Sequence, residues 1–280
     1  MKFGRSPWLI AAFAAGLLFL YVPIASMIVF SFNASRLVTV WGGFSAKWYG
    51  ELFRDHQMLG AAWLSFEIAT VTATCAVVLG TLAALALARF VRFRGRMLLS
   101  GMVTAPLVMP EVITGLSLLL LFVALEPVPF MPQTRGFSTI VIAHVTLTLS
   151  YVTIVVRSRL ATMDGSLEEA AMDLGARPAK VFLVVTLPII APAVASGWLL
   201  AFTLSLDDLV IASFTAGPST NTLPMMIFSK VRLGVTPEIN ALATIMVAIV
   251  TVFVIFAGVL MSRQERARQR DVRLAQALGG

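Results

Sequence analysis

The chain has 280 residues, of which 59 % are hydrophobic and 12 % are charged, and this charged fraction is about half that of an average globular protein. So few charged side chains cannot cover the surface of a water-soluble domain, which excludes an ordinary soluble enzyme, a disordered protein and a secreted disulfide scaffold. The formal net charge of +7 lies in short segments between long apolar stretches, a pattern that is typical of integral membrane proteins and argues against nucleic-acid binding.

Six apolar stretches exceed the roughly 20 residues that an α-helix needs to cross a bilayer. In chain order, they are predicted at 8–30, 60–88, 97–125, 137–156, 189–214 and 239–261. The first follows Lys2 and Arg5, as the apolar part of a signal peptide would, but it is too long for one. The sequence therefore predicts an all-α integral membrane protein in which residues 1–280 form a single transmembrane domain.

Lysine and arginine are distributed unevenly between the two sides that these six spans would define. Fifteen of the 21 lie on one side, within the segments 2–5, 89–96, 157–180 and 263–273. Segments rich in lysine and arginine stay in the cytoplasm, so both termini are predicted to be cytoplasmic.

The segment 157–188, between the predicted fourth and fifth spans, is longer than a simple connection requires. Ser166 and Glu169 have the spacing of a capping box, which predicts a helix start, and Gly175 suits a left-handed helix end. The predicted helix has one apolar face, formed by Leu167, Ala170, Ala171 and Leu174. From this pattern alone, the face could pack against its own bundle or dock onto another protein.

Acidic side chains inside the predicted spans are the second unusual feature. There are four of them, and they are Glu67, Glu111, Asp207 and Asp208. An ionised side chain at the centre of a membrane costs about 2.5–3.5 kcal/mol, so it normally faces a wet cavity or a partner of opposite charge. No lysine or arginine lies within the spans apart from Arg89 at an edge, so a cationic substrate or an arginine of another subunit would be that partner.

Two regions carry the predicted substrate path. Glu111 lies near mid-depth and follows Pro106 and Pro110, which are expected to kink the helix. The second region is the fifth predicted span. If it is one continuous helix, Trp198, Phe202 and Asp208 share a face, and an aromatic pair beside a carboxylate suits an alkylammonium ion. The predicted substrate-binding residues are therefore Glu111, Asp208, Asp207, Trp198, Phe202 and Ser205.

Other candidates have simpler interpretations. His144 lies within a span without an evident partner, and it is interpreted as a packing or hydrogen-bonding residue. Cys75 is interpreted as a packing residue, and no metal site or cofactor is predicted. The chain also lacks a phosphate-binding loop, so it is not expected to hydrolyse ATP itself.

The segment around the predicted cytoplasmic helix resembles the EAA loop of the permease subunits of binding-protein-dependent ABC importers. The resemblance lies in Glu169-Ala170-Ala171, followed by Gly175, Val185 and Leu187-Pro188. The segments 109–116, 202–208, 217–218 and 237–244 further resemble the spermidine and putrescine permeases.

The resemblance implies a polyamine importer in the bacterial inner membrane that works by alternating access, with putrescine as the expected substrate. Its partners would be a second, different permease, two ATP-binding subunits, a periplasmic polyamine-binding protein and membrane lipid. In that family, the loop forms a coupling helix that docks onto the ATPase subunit. The residues implied at this interface are Glu169, Ala170, Ala171, Leu174 and Gly175.

Three alternatives stay open at this point. The chain could be an ABC permease for another cationic solute, a transporter or channel driven by ion gradients, or a membrane-embedded enzyme that uses Glu111 and His144 as acid and base. The coupling motif disfavours the second and the third.

Overall fold

The computed structural model describes residues 7–37, 40–90, 92–129, 132–234, 236–249, 251–252 and 255. Within these ranges the chain is helical, and its β-structure is one isolated antiparallel bridge between Asn33 and Phe44, which confirms the predicted all-α class. The chain divides into two compact units, one of residues 1–56 and 230–280 and one of residues 57–229.

The helices are numbered in chain order. They are α1 (Pro7–Ser31), α2 (Lys47–Leu52), α3 (His56–Arg89), α4 (Arg96–Val108), α5 (Glu111–Leu125), α6 (Phe137–Ala161), α7 (Ser166–Asp173), α8 (Pro178–Val181), α9 (Leu187–Leu206), α10 (Val210–Thr215), α11 (Leu223–Leu233) and α12 (Pro237–Ile249). A five-residue π-helix, Phe182–Thr186, joins α8 to α9.

Four helical stretches are long and apolar enough to cross a membrane: α1, α3, α6 and the run Pro178–Leu206. They match the predicted first, second, fourth and fifth spans in position. The predicted sixth span begins as α12, but residues 256–280, which include its end and the basic tail, lie outside the described residues.

The predicted span 97–125, in which Pro106 and Pro110 are expected to kink the helix, consists of two separate helices, α4 and α5, with 13 and 15 residues. The residue before a proline avoids the helical conformation, since it would clash with the proline ring. Met109 accordingly has an extended backbone with ψ of 136°, and Pro110 then caps α5.

The predicted fifth span, 189–214, also differs from the observed helices. The helical run begins earlier, at Pro178, and α9 ends at Leu206, so that residues 207–209 separate it from the short helix α10. The side chain of Asp208 contributes to this break, because its Oδ1 accepts a hydrogen bond of 2.8 Å from the backbone N–H of Ala212 in α10. Aspartate favours such helix starts since its carboxylate competes with the backbone for N–H groups.

In the unit of residues 57–229, small residues bring the long helices close together. Its main core contains Ala73, Ala76 and Ala84 of α3, with Val152 and Val156 of α6 and Ile190 and Ala201 from the following helical run. A Cβ atom on Gly80 would lie 2.8 Å from Cγ1 of Val152, so glycine is needed where α3 passes α6. Close backbone approach through small residues is the usual way in which membrane helices pack.

In the unit of residues 1–56 and 230–280, a buried asparagine organises the loop between α1 and α2. The side chain of Asn33 accepts a hydrogen bond of 2.7 Å from the N–H of Gly42 and donates one of 2.7 Å to the carbonyl of Val40. The backbone carbonyl of Asn33 accepts a hydrogen bond of 2.6 Å from Nε1 of the buried Trp48. These bonds attach α2 to the end of α1.

Candidate functional site

The break between α9 and α10 contains a buried polar cluster of three side chains, Asp208, His144 and Ser205. His144 lies on α6, Ser205 lies near the end of α9, and Asp208 follows that end. Nδ1 of His144 shares a hydrogen bond of 2.7 Å with Oγ of Ser205, and Nε2 of His144 lies 3.3 Å from Oδ1 of Asp208. The three residues are 2 %, 4 % and 9 % exposed, which leaves little access for water or solute.

The cluster bears on the predictions for two residues. The interpretation of His144 as a hydrogen-bonding residue is confirmed, but it has a partner that the sequence did not indicate. Asp208 also has a neighbour that the sequence did not indicate, because Nε2 of His144 approaches its carboxylate. The two residues are far apart in the chain, and no local pattern relates them.

The tautomer of His144 follows from the chemistry of its neighbours. A carboxylate only accepts hydrogen bonds, so the oxygen of Asp208 favours a proton on Nε2 of His144. In the neutral imidazole, Nδ1 is then the acceptor, and the hydroxyl of Ser205 donates to it. Asp208 thus has the imidazole of His144 within 3.3 Å and a hydrogen bond from the backbone N–H of Ala212, and neither contact involves a lysine or an arginine.

The predicted shared face of Trp198, Phe202, Ser205 and Asp208 does not form as expected, because Asp208 lies beyond the end of α9. Trp198 and Phe202 stack with their ring centroids 5.3 Å apart and pack against the core of the unit. Nε1 of Trp198 donates to Oγ1 of Thr74 over 3.2 Å, and Phe66 of α3 meets Phe202 edge-on. Both aromatic residues therefore have packing partners within their own unit.

The other three acids in the predicted spans are exposed. Glu111 is the first residue of α5, Asp207 caps the end of α9, and Glu67 lies on α3. Glu111 lies at a helix N-terminus, where an acidic side chain is favourable. Asp207 instead lies beside the free carbonyls at a helix C-terminus, where a cation is favoured. The structure thus separates one enclosed acid from three accessible ones.

The two helix breaks belong to elements that pack against each other. A Cβ atom on Gly115 of α5 would lie 2.7 Å from the ring of Phe214 in α10, so these two helices approach closely. Glu111 lies one turn before Gly115, and α10 follows the break that contains Asp207 and Asp208. Broken backbone at membrane depth is tolerated where it is buried in protein or lines a cavity.

The predicted cytoplasmic helix is present as α7, but its start differs from the predicted capping box. Ser166 is the first helical residue, and no side-chain cap involves Glu169. Instead, Oδ1 of Asp164 accepts a hydrogen bond of 3.0 Å from the N–H of Ser166, and the bonds to Ser166 lower the pKa of Asp164 below its usual value. A carboxylate is a stronger hydrogen-bond acceptor than a hydroxyl, which favours Asp164 over the Ser166 side chain as the acceptor for an N–H at the start of α7.

The end of α7 is as predicted, with Gly175 in the left-handed conformation at φ +83°. The N–H of Gly175 donates to the carbonyl of Met172, and that of Ala176 donates to the carbonyl of Ala171. These two bonds form a Schellman motif.

The apolar face of α7 is not covered by the part of the chain that the structure describes. No residue of α7 is buried, Leu167 is 49 % exposed, and the following Leu174 is 90 % exposed. Glu169 and Ala170 are exposed as well. The sequence left two interpretations of this face, packing against its own bundle or docking onto another protein. The exposure of Leu167 and Leu174 argues against the first.

One residue of α7 that the sequence analysis did not select, Glu168, contacts the bundle. Its Oε2 lies 3.0 Å from Nε of Arg89, the last residue of α3, and its Oε1 accepts a hydrogen bond of 2.6 Å from Thr186. The sequence signals for this contact were an arginine at the edge of a span and an acidic helix in the same predicted compartment.

Comparison with known proteins gives a consistent picture. Residues 76–270 match the family described as binding-protein-dependent transport system inner membrane component. The chain is 58 % identical over 272 residues to the putrescine transport system permease protein PotI of Escherichia coli (strain K12), and the match covers 97 % of each chain. It is 41 % identical over 255 residues to the spermidine/putrescine transport system permease protein PotC of the same strain, covering 91 % of this chain and 94 % of the relative.

A solved structure shares the fold. It is a bacterial ABC transporter involved in the import of the acidic polysaccharide alginate, and it matches with a TM-score of 0.70 over 92 % of this chain and 98 % of that chain. The sequence identity of 18 % is low, so the likeness concerns the fold alone.

The buried cluster predicts that His144→Ala lowers the stability of the purified protein. Asp208 would lose its imidazole partner, and a cost of about 2–4 kcal/mol is expected for a buried carboxylate that is left incompletely paired. The melting temperature in detergent measures this, and Thr146→Ala on the same helix is the control, because the Thr146 hydroxyl bonds to the backbone of its own helix. In an Asp208→Asn background the same His144→Ala change should cost less, and an equal cost would show that the two side chains do not interact.

Proposed function

Because the chain belongs to the family of binding-protein-dependent transport system inner membrane components, we propose that it is the permease subunit of an ATP-driven importer for polyamines, and for putrescine in particular. The observation that carries the proposal is the 58 % identity with the putrescine permease PotI over 97 % of both chains. A similarity that extends over the whole length involves the spans, the helix breaks and the cytoplasmic loop together.

Energy for transport comes from other chains in this proposal. The sequence has no phosphate-binding loop, so two ATP-binding subunits supply the hydrolysis. A second, different permease completes the path, and a periplasmic binding protein delivers the polyamine. Both termini of this chain are cytoplasmic, which puts α7 on the same side as the ATP-binding subunits. Closure of those subunits then switches the path between its two openings, as alternating access requires.

The docking element for the ATP-binding subunit is α7. Its exposed apolar side chains, Leu167 and the neighbouring Leu174, have no cover in the described part of this chain, so a partner that buries them gains hydrophobic free energy. Small side chains at Ala170 and Ala171 permit close approach. Gly175 ends the helix sharply, and Glu169 projects from it for a polar contact.

The accessible carboxylates at the helix breaks support a cationic substrate. Glu111 and Asp207 are exposed where the backbone is interrupted, and the end of α9 adds carbonyl groups that favour a cation beside Asp207. A dication also gains about 4.6 kcal/mol from an inside-negative potential of 100 mV, so electrostatics favours its entry. Trp198, Phe202, Ser205 and Asp208 complete the proposed path residues; the enclosure of Asp208 means that it would act only after His144 releases it.

Two alternatives predict different behaviour. A permease for another cationic solute would keep the ATP dependence and change the solute. A gradient-driven transporter would not need an ATP-binding subunit at all, and nothing about its mechanism would require the exposed face of α7.

The proposed function predicts that this chain, expressed with the other subunits of its importer, copurifies with an ATP-binding subunit. In proteoliposomes with the binding protein, labelled putrescine should accumulate only when ATP is supplied to the side of the ATP-binding subunits. Uptake that follows an imposed ion gradient without ATP would contradict the proposal. ATP-dependent uptake of a different cation, with none of putrescine, would support the alternative within the same class.

The end of α7 predicts that Gly175→Ala lowers uptake per ATP hydrolysed. A side chain at φ +83° costs about 1–2 kcal/mol, which would displace the residues that follow the helix. Gly165→Ala, at the other end of α7, is the matched control, because a Cβ atom there has open space and an ordinary φ of −65°. Equal ratios of uptake to hydrolysis in the two variants would argue against the docking role of this end.

The acidic path predicts that Glu111→Gln weakens putrescine uptake by about tenfold, since a charge-assisted contact with an ammonium group is worth about 1.5–3 kcal/mol. Basal ATP hydrolysis should change much less. Glu126→Gln, at the opposite end of α5, is the control for loss of an exposed carboxylate from the same helix. Unchanged uptake kinetics in Glu111→Gln would remove this residue from the path.

A further inference from the structure

We propose that Glu168 is the positioning residue that fastens α7 to two spans at once, so that a displacement of α7 moves α3 and α9 together. This inference rests on the proposed function, because it concerns how a partner's movement reaches the bundle. It assigns a role to a residue adjacent to the predicted docking residues, but distinct from them.

The two oxygens of one carboxylate hold two different elements. Oε2 lies 3.0 Å from Nε of Arg89, and Oε1 accepts the 2.6 Å hydrogen bond from Oγ1 of Thr186. Arg89 ends α3, and Thr186 is the last residue of the π-helix, directly before α9. A rigid carboxylate that bridges two such groups fixes the distance between both elements and α7.

The burial of these groups shows that the bridge is not a loose surface pair. Thr186 is 2 % exposed, and the side chain of Glu168 is 17 % exposed. Nε and Nη2 of Arg89 are shielded from solvent and form no hydrogen bond that meets strict geometry within the described residues. Loss of the Glu168 charge would therefore leave a partly buried guanidinium without a counter-ion, which costs more than the loss of an exposed pair.

The rest of α7 offers no comparable attachment. Among the described residues, Glu168 is the one on α7 whose side chain forms a hydrogen bond or ion pair with another helix. No residue of α7 is buried, so the helix gains little from apolar packing. A push on α7 would reach the spans through this carboxylate and through the chain connections on either side.

The position of the π-helix strengthens the inference. Phe182–Thr186 interrupts an otherwise continuous helical run, and α7 packs beside this segment. A π-helix is less regular than an α-helix and commonly occurs at functional positions, where the register of a helix can change. Glu168 thus bonds to the turn at which the run from α8 to α9 is most easily altered.

Adjacent glutamates on α7 have separate tasks in this arrangement. Glu168 turns toward the bundle, whereas Glu169 is exposed and available to a partner. Successive residues on a helix point about 100° apart, so one short helix can present one carboxylate to each side. The sequence motif includes only the outward one.

The test measures putrescine uptake per ATP hydrolysed in the reconstituted complex. Glu168→Gln should lower this ratio by about fivefold to tenfold, because a charge-assisted contact in a partly buried site is lost. Asp173→Asn is the matched control, since it removes an exposed carboxylate from the same helix, and it should leave the ratio unchanged.

The charge-swapped pair Arg89→Glu with Glu168→Arg distinguishes positioning from general damage. It should recover at least half of the lost ratio, whereas each single change should not. A normal ratio in Glu168→Gln, an equal loss in Asp173→Asn, or a swapped pair no better than the single variants would overturn the inference. If the wild-type complex shows no association with an ATP-binding subunit, the proposed function itself fails, and that result is read before any variant is compared.

Discussion

Inside a bilayer there is no water to satisfy backbone N–H and C=O groups, so each span of an all-α membrane protein satisfies them within its own helix. Because of this constraint, the positions at which the helices of this protein end need an explanation. Between α4 and α5 the chain breaks at Met109 and Pro110, and between α9 and α10 it breaks at residues 207–209. Glu111 directly follows the first break, and Asp207 and Asp208 lie within the second, so both interruptions of the backbone have acidic side chains beside them.

The low dielectric of the membrane interior explains why the acidic side chains form two groups, one buried and one exposed. Asp208 is enclosed, its Oδ1 accepts a hydrogen bond from the N–H of Ala212, and Nε2 of His144 lies 3.3 Å from the same oxygen. Glu111 and Asp207 are exposed and lie at helix ends, where the helix dipole favours an acidic side chain at Glu111 and a cation near Asp207. An importer of dications needs both features, because a path requires accessible charge and a bundle requires that buried charge be paired.

In the proposed function, the ATP-binding subunit and the substrate contact different parts of the molecule. The cytoplasmic helix α7 leaves its apolar face uncovered and is tied to the bundle mainly by Glu168, which reaches the ends of two long helices. The accessible acids lie on α5 and at the end of α9. Because α9 runs from Leu187 to Leu206, the proposed displacement at its Thr186 end would act on an element that extends about 30 Å to Asp207 at the other end. The fold therefore offers a direct mechanical connection between the coupling loop and a helix break.

The amino-acid sequence by itself determined the all-α class, the approximate positions of four spans, the loop helix and its glycine end, and the family likeness. These follow from length, apolar runs and local motifs, which act between residues that are close in the chain. It also indicated a kink near Pro110, but it could not show that the helix ends there, since a proline in a long apolar run is compatible with either outcome.

Only the tertiary structure decided which side chains meet. His144 lies on α6 and Asp208 lies in the break after α9, whereas Arg89 and Glu168 lie on different helices, and in both pairs the partners are more than sixty residues apart in the chain. A buried charge selects the nearest group that can balance it, and proximity of this kind is set by how the helices pack, which no local sequence pattern records. The start of α7 shows the same on a smaller scale, because Asp164 accepts the N–H of Ser166 and the capping box predicted from the residue spacing does not form.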